Sequence, residues 1–162
     1  MSIVETNVAI AANGRNTHAC LECQLACVEF LEKLVRGRER VTIDSAGLML
    51  GEYARYLYHS GQPSVGDEFF KYLHDNQYVE KKVQMVDISS NNDAKTGFDE
   101  LPPNSMDPSD RKFLAVAIVS GDVIYNALDS DWDEHHEEIE AMGVSVEQLC
   151  PQHAMRPIRG QC

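Results

Sequence analysis

The chain has 162 residues, 26 of them acidic against 14 basic, for a formal net charge of −12, and 43% are apolar. This length and apolar fraction support a single core and exclude a disordered chain, while the charge on its face argues against a nucleic-acid partner. No apolar run approaches the roughly 18 residues of a membrane span, and the opening MSIVETNVAI has neither a basic region nor a small-residue cleavage site, so a cytoplasmic location with no membrane association is expected. Five cysteines without a secretion signal point to reduced thiols rather than a disulfide framework.

In chain order, residues 2–10 place β-branched side chains around one charged position and predict a buried strand carrying Glu5, Thr6 and Asn7, broken at Ala12-Asn13-Gly14. A helix is expected over 17–36, because Cys20, Cys23, Cys27, Phe30, Leu31 and Leu34 fall on one face and Gly37 is a suitable stop. A basic turn (Arg36, Arg38, Arg40) enters a short strand at 41–43, and Asp44 or Ser45 can cap a helix through Leu48, Leu50, Tyr53 and Leu57. Pro63 opens a further helix to about Asn76, and residues 82–88 alternate as a strand.

The Ser-, Asn- and Pro-rich stretch 89–106 reads as a loop within the domain. Asp107-Pro108-Ser109-Asp110 is a helix start, and the following 113–119 segment is apolar all round, as in a buried helix. Ser120-Gly121 ends it. A strand at 123–125, the Asp129-Ser130-Asp131 cluster, an acidic helix over 132–142 and a last strand and turn over 143–150 follow. The alternation predicts an α/β fold, a three-layer sandwich around a mostly parallel central sheet, as one domain over 1–150 with a tail at 151–162.

The acid is concentrated. Residues 99–140 hold twelve acidic side chains against Arg111 and Lys112 alone. A solvated acidic face is one reading. The other is convergence on a cation: Glu5 and Asp129 follow strands, Asp110 stands in the first turn of the buried helix, and Glu52 lies in the helix after the second strand. In open α/β sheets, ligands bind beyond the carboxyl ends of the strands, and carboxylate oxygens select hard cations such as Mg²⁺ or Mn²⁺.

Four blocks carry a family resemblance: Val4-Glu5-Thr6-Asn7-Val8; Leu50-Gly51-Glu52-Tyr53; Asp107-Pro108-Ser109-Asp110-Arg111-Lys112-Phe113-Leu114-Ala115-Val116-Ala117; and Ala127-Leu128-Asp129-Ser130-Asp131-Trp132. In order and spacing, over about residues 2–133, they resemble the successive motifs of PIN-domain ribonucleases. The resemblance implies a PIN-like fold and an acidic quartet of Glu5, Glu52, Asp110 and Asp129, with Asp131 close by, holding Mg²⁺ or Mn²⁺ to activate water against an RNA phosphodiester. It also implies Asn7 as a polar support, and it makes a toxin or defence effector checked by an antitoxin or sensor protein, and a homo-oligomer, the expected setting. One departure stands out: the family's first motif normally carries Asp where this chain has Glu5, and the extra methylene displaces the carboxylate.

RNA, or single-stranded DNA, needs positive charge to reach such a centre. Arg111 and Lys112 adjoin it in sequence and are expected, with Asn7, as substrate contacts; Arg36, Arg38, Arg40, Lys81 and Lys82 are further donors. The competing expectation is an interaction module of the same fold with lapsed catalysis. Cys20, Cys23 and Cys27 could form half of a zinc site completed by His18, Cys150 or His153, although their shared apolar face favours structural thiols. The calcium-loop spacing of Asp129, Asp131, Asp133 and Glu140 lacks its central Gly. No nucleotide-cradling Gly-rich motif occurs.

Overall fold

A computed structural model describes residues 1–37 and 39–155. Five strands, β1 (Ser2–Val4), β2 (Val41–Asp44), β3 (Val83–Val86), β4 (Val123–Asn126) and β5 (Val146–Gln148), form one sheet in the order β3-β2-β1-β4-β5. All four pairings are parallel, with Ile3 opposite Ile124, Thr42 opposite Gln84 and Tyr125 opposite Glu147. Among the described residues, eight helices connect and follow them: α1 (Thr6–Asn13), α2 (Leu21–Arg36), α3 (Leu48–Tyr56), α4 (Val65–Asn76), α5 (Arg111–Ser120), α6 (Asp131–Glu134), α7 (His136–Ala141) and α8 (Pro151–Ala154).

Parallel strands need crossovers, and right-handed crossovers fix the layers. The chain steps from β1 to β2 to β3 in one direction, so α1–α4 lie on one face. It then returns past β1 to β4 and β5, which places α5 and the α6–α7 segment on the other. The expected α/β/α sandwich is therefore the architecture. Both faces are covered, and the strands accordingly bury Ile3, Val4, Val41, Ile43 and Ile124 completely. Helix α5 buries Phe113, Leu114, Ala115, Val116 and Ala117 against the sheet. On the opposite face α4 crosses α1 at Gly66, where a Cβ would stand 2.1 Å from the Ala9 carbonyl oxygen. Only glycine permits that approach.

Several sequence expectations change. The strand expected over 2–10 ends at Val4, and Thr6–Asn13 is helical. Glu5 explains this, because its carboxylate accepts the Asn7 backbone N–H at 2.7 Å and starts α1, while Gly14 closes the helix at φ 68°. Helix α2 begins at Leu21 rather than near residue 17. The acidic helix over 132–142 is two short helices separated at His135. The tail opens as α8, and Cys150, its preceding residue, forms a disulfide with Cys23 across 127 positions. This corrects the expectation of reduced thiols: the fold brings the two Cα atoms to 5.4 Å, within disulfide range. Residues 156–162 of the tail, and Arg38, lie outside the described residues.

Candidate metal centre at the switch point of the sheet

The order β3-β2-β1-β4-β5 reverses direction between β1 and β4, and the chain leaves those two strands toward opposite faces. A crevice results beyond their carboxyl ends. Glu5 follows β1 directly, and its backbone N–H donates to the Tyr125 carbonyl of β4 at 3.0 Å. Asp129 stands three residues past the end of β4. The Glu5 and Asp110 carboxyls are nearly buried. With Glu52, Thr6, Asn7, Ser109 and Asp129 they line a cleft of about 320 Å³.

Each carboxylate is held differently. Asp110 precedes the first residue of α5, accepts no cap hydrogen bond, and lies with Asp129 and Asp131 so that one oxygen from each falls within 4.8 Å of the others. Asp129 accepts the Asp131 backbone N–H at 2.9 Å. Glu52, from α3, accepts the Thr6 hydroxyl and pairs with Lys112 at 2.7 Å. Asp107 sits outside the cluster, capping the turn before α5 through the Ser109 N–H and hydroxyl.

Burial and mutual repulsion resist ionisation here. Desolvation, reinforced by Asp110, Glu52 and Asp129 and opposed by the Asn7 N–H, pushes the Glu5 carboxyl up to about 8. Desolvation together with Asp129, Asp107, Asp131 and Glu52 raises Asp110 to about 7. Asp129 is raised as well, by burial first and then by Asp131. Only oxygen donors meet at this point, and Lys112 is the sole basic side chain paired into the group among the described residues. Such a set of oxygen donors, whose ionised form burial and mutual repulsion disfavour, fits a hard divalent cation, which would stabilise that ionised form.

Asn7 supports the centre through its side chain. Its Nδ2 donates to Asn126 Oδ1 at 2.8 Å, and its Oδ1 accepts the Ala127 and Leu128 N–H groups at 2.9 and 3.1 Å. These bonds fix the loop that delivers Asp129. Asn126, which the sequence reading did not single out, completes the network by donating to the Asp129 carbonyl and the Gln148 side chain. Thr6 is likewise legible in the sequence only as a strand-end residue. Its partner Glu52 lies 46 positions away, and nothing local in the sequence couples them.

The expected substrate contacts divide, and the Asn7 side chain is committed to Asn126, Ala127 and Leu128. Lys112 reaches the centre through Glu52. Arg111 is buried, with its guanidinium committed to Asn104 Oδ1, the Ala94 carbonyl and the Asn104 carbonyl, and so it braces the 89–106 loop. Arg40 and Lys82 precede β2 and β3, at the amino ends of the strands and away from the carboxylates. Basic and aromatic groups that do line the cleft come from the last turn of α3: Arg55 and the exposed Tyr56. A second cleft of about 440 Å³ shares Ile10, Arg55 and Tyr56 with the first and continues to Arg15 and Tyr58.

Comparison with known proteins returned no matching family model, curated protein or solved structure.

Proposed function

We propose that the protein is a metal-dependent endoribonuclease of the PIN-like type, hydrolysing RNA phosphodiester bonds at the Glu5–Glu52–Asp110–Asp129 centre with Mg²⁺ or Mn²⁺. The observation that carries this reading is the convergence of four carboxylates from four elements at the sheet's switch point, with two of them held far above the ordinary carboxyl range. The resemblance of the four sequence blocks supplies the reaction class. A cation bound there supplies an acidified water and neutralises charge building on the phosphate.

The chain's own groups have separable tasks. Asp110 is the least encumbered donor, because its side chain accepts neither a cap hydrogen bond nor a salt bridge among the described residues, while Asp129 accepts one backbone N–H. Asn7 and Asn126 hold the Asp129 loop in place. Lys112 neutralises Glu52, a role that a bound cation would share. Arg55 and Tyr56 offer a phosphate contact and a stacking face at the cleft's edge.

A second reading has an observation of its own: Glu5 caps α1 and Glu52 is already paired with Lys112, as suits an interaction module whose acidic site is idle. One experiment separates the two. The purified chain is incubated with single-stranded RNA and single-stranded DNA under Mn²⁺, beside Asp110→Asn and Asp129→Asn, with Mn²⁺ binding followed by calorimetry. Loss of RNA cleavage by about 100-fold or more in both variants is expected, with weakened Mn²⁺ binding. Cleavage that persists in the variants comes from another protein, and a folded wild type that cuts nothing is the interaction module.

A further inference from the structure

A second cluster of ligand-type side chains lies away from the carboxylates. Cys23 and Cys27 stand one turn apart on the buried face of α2, and Cys150 precedes α8. All three are fully buried, and their sulfur atoms lie within 4.8 Å of one another. Cys23 and Cys150 are joined as a disulfide, while Cys27 is a free thiol whose sulfur is 3.9 Å from that of Cys150. Zinc–thiolate bonds of about 2.3 Å in tetrahedral geometry separate neighbouring sulfurs by about 3.8 Å, so the Cys27–Cys150 edge is already spaced for a shared ion.

We propose that the reduced chain binds a thiophilic divalent cation of the Zn²⁺ type through the thiolates of Cys23, Cys27 and Cys150. The electron balance is simple. A dithiol, or two thiols of the glutathione class, delivers two electrons and two protons to the Cys23–Cys150 bond and leaves as its own disulfide. Metal binding then releases the protons of the coordinating thiols to solvent. Without a cation, burial pushes the Cys27 thiol up to about 12, so it stays neutral; a bound cation reverses that preference.

The spacing explains why three sulfurs meet. Two come from i and i+4 of one helix, and the third arrives from the far end of the chain on the turn after β5. The same turn bears on the carboxylate centre, because the Leu149 N–H donates to the Asn126 carbonyl at 2.8 Å and Gln148 accepts from the Asn126 side chain at 2.7 Å. A tie between α2 and Cys150 therefore holds the strand beside the Asn126 network, as a covalent bond in the oxidised chain and as a metal bridge in the reduced one. Nearby, His153 accepts the Cys20 N–H at 3.0 Å and packs edge-on to His18, which keeps α8 seated over the start of α2.

The test uses the full chain, reduced with a phosphine and titrated with Co²⁺ and then Zn²⁺. Sulfur-to-cobalt charge-transfer bands, displaced by Zn²⁺, are expected in the wild type and in Asp129→Asn, and lost in Cys27→Ser. Cobalt held by carboxylates gives no such bands, so the result is independent of the nuclease reading. Their absence from the reduced, folded wild type overturns the proposal, as does their survival in Cys27→Ser. If Cys27→Ser fails to fold by circular dichroism, the wild type decides: Zn²⁺ must slow alkylation of Cys23, Cys27 and Cys150 at least about tenfold, and alkylation of any of them at the zinc-free rate overturns the assignment.

Discussion

Asn7 shows how one side chain serves both fold and site. Its amide oxygen accepts two backbone N–H groups of the Asp129 loop, and the Ala127 residue carrying one of them is fully buried. Truncation strands those donors, so Asn7→Ala is expected to cost about 2 kcal/mol in urea unfolding and to weaken Mn²⁺ binding by about tenfold in calorimetry. Unchanged Mn²⁺ affinity at the expected loss of stability would restrict Asn7 to the fold. The motif blocks made Glu5, Glu52, Asp110 and Asp129 readable in the sequence, because each sits beside a distinctive local pattern. Thr6, Asn126 and the true setting of Arg111 were not, because their partners come from distant elements or from an irregular loop.

At the level of elements, the helices and strands from residue 21 to residue 126 follow their hydrophobic periodicity closely, and α4 adds the capping box between Ser64 and Asp67. Helix α1 departs from that pattern. Its Val8 and Ile10 favour a strand by propensity, whereas the Glu5 cap and burial of Val8, Ala9, Ala11 and Ala12 against neighbouring helices decide for a helix. That helix turns the chain at the switch point, and its cap is what aims Glu5. The end of α3, which the sequence marks only as the run of a capped helix toward Leu57, delivers Arg55 and Tyr56 to the edge of the carboxylate cleft. Beyond them Arg15 lies 4.6 Å over the Tyr58 ring while forked onto Asp67, which fixes that ring as a second exposed aromatic face. Under the nuclease reading, Tyr56→Ala is expected to weaken single-stranded RNA binding by about 1–3 kcal/mol, and Arg55→Ala to reduce the salt dependence of binding by somewhat under one unit of slope. Fluorescence anisotropy at several salt concentrations measures both, and unchanged slopes would remove Arg55 from the substrate path.

For the molecule as a whole, five of the 26 acidic side chains, Glu5, Glu52, Asp110, Asp129 and Asp131, are crowded at one point of the sheet. The consequence is a pH dependence with a definite sign. Glu5 and Asp110 take up protons in the folded chain at about 8 and about 7, against ordinary values of 4.5 and 3.8. Between these limits the folded state binds more protons than the unfolded one, so their contribution to stability is full at the acidic end and is lost as pH rises through 7 and 8. In chelator, the thermal midpoint is therefore expected to fall from about pH 5 to about pH 8. Under the proposed metal reading, Mn²⁺ would bind the ionised carboxylates of the folded chain, so saturating Mn²⁺ is expected to recover the midpoint most at the alkaline end. Glu5→Gln removes the largest shift: it should flatten the chelator profile, raise the midpoint near pH 8 and diminish the Mn²⁺ response. Scanning calorimetry across this range, with and without Mn²⁺, makes the comparison. A wild-type profile that stays flat in chelator would mean that the carboxylates are not crowded in the folded protein, and would remove the physical basis for a cation at the switch point.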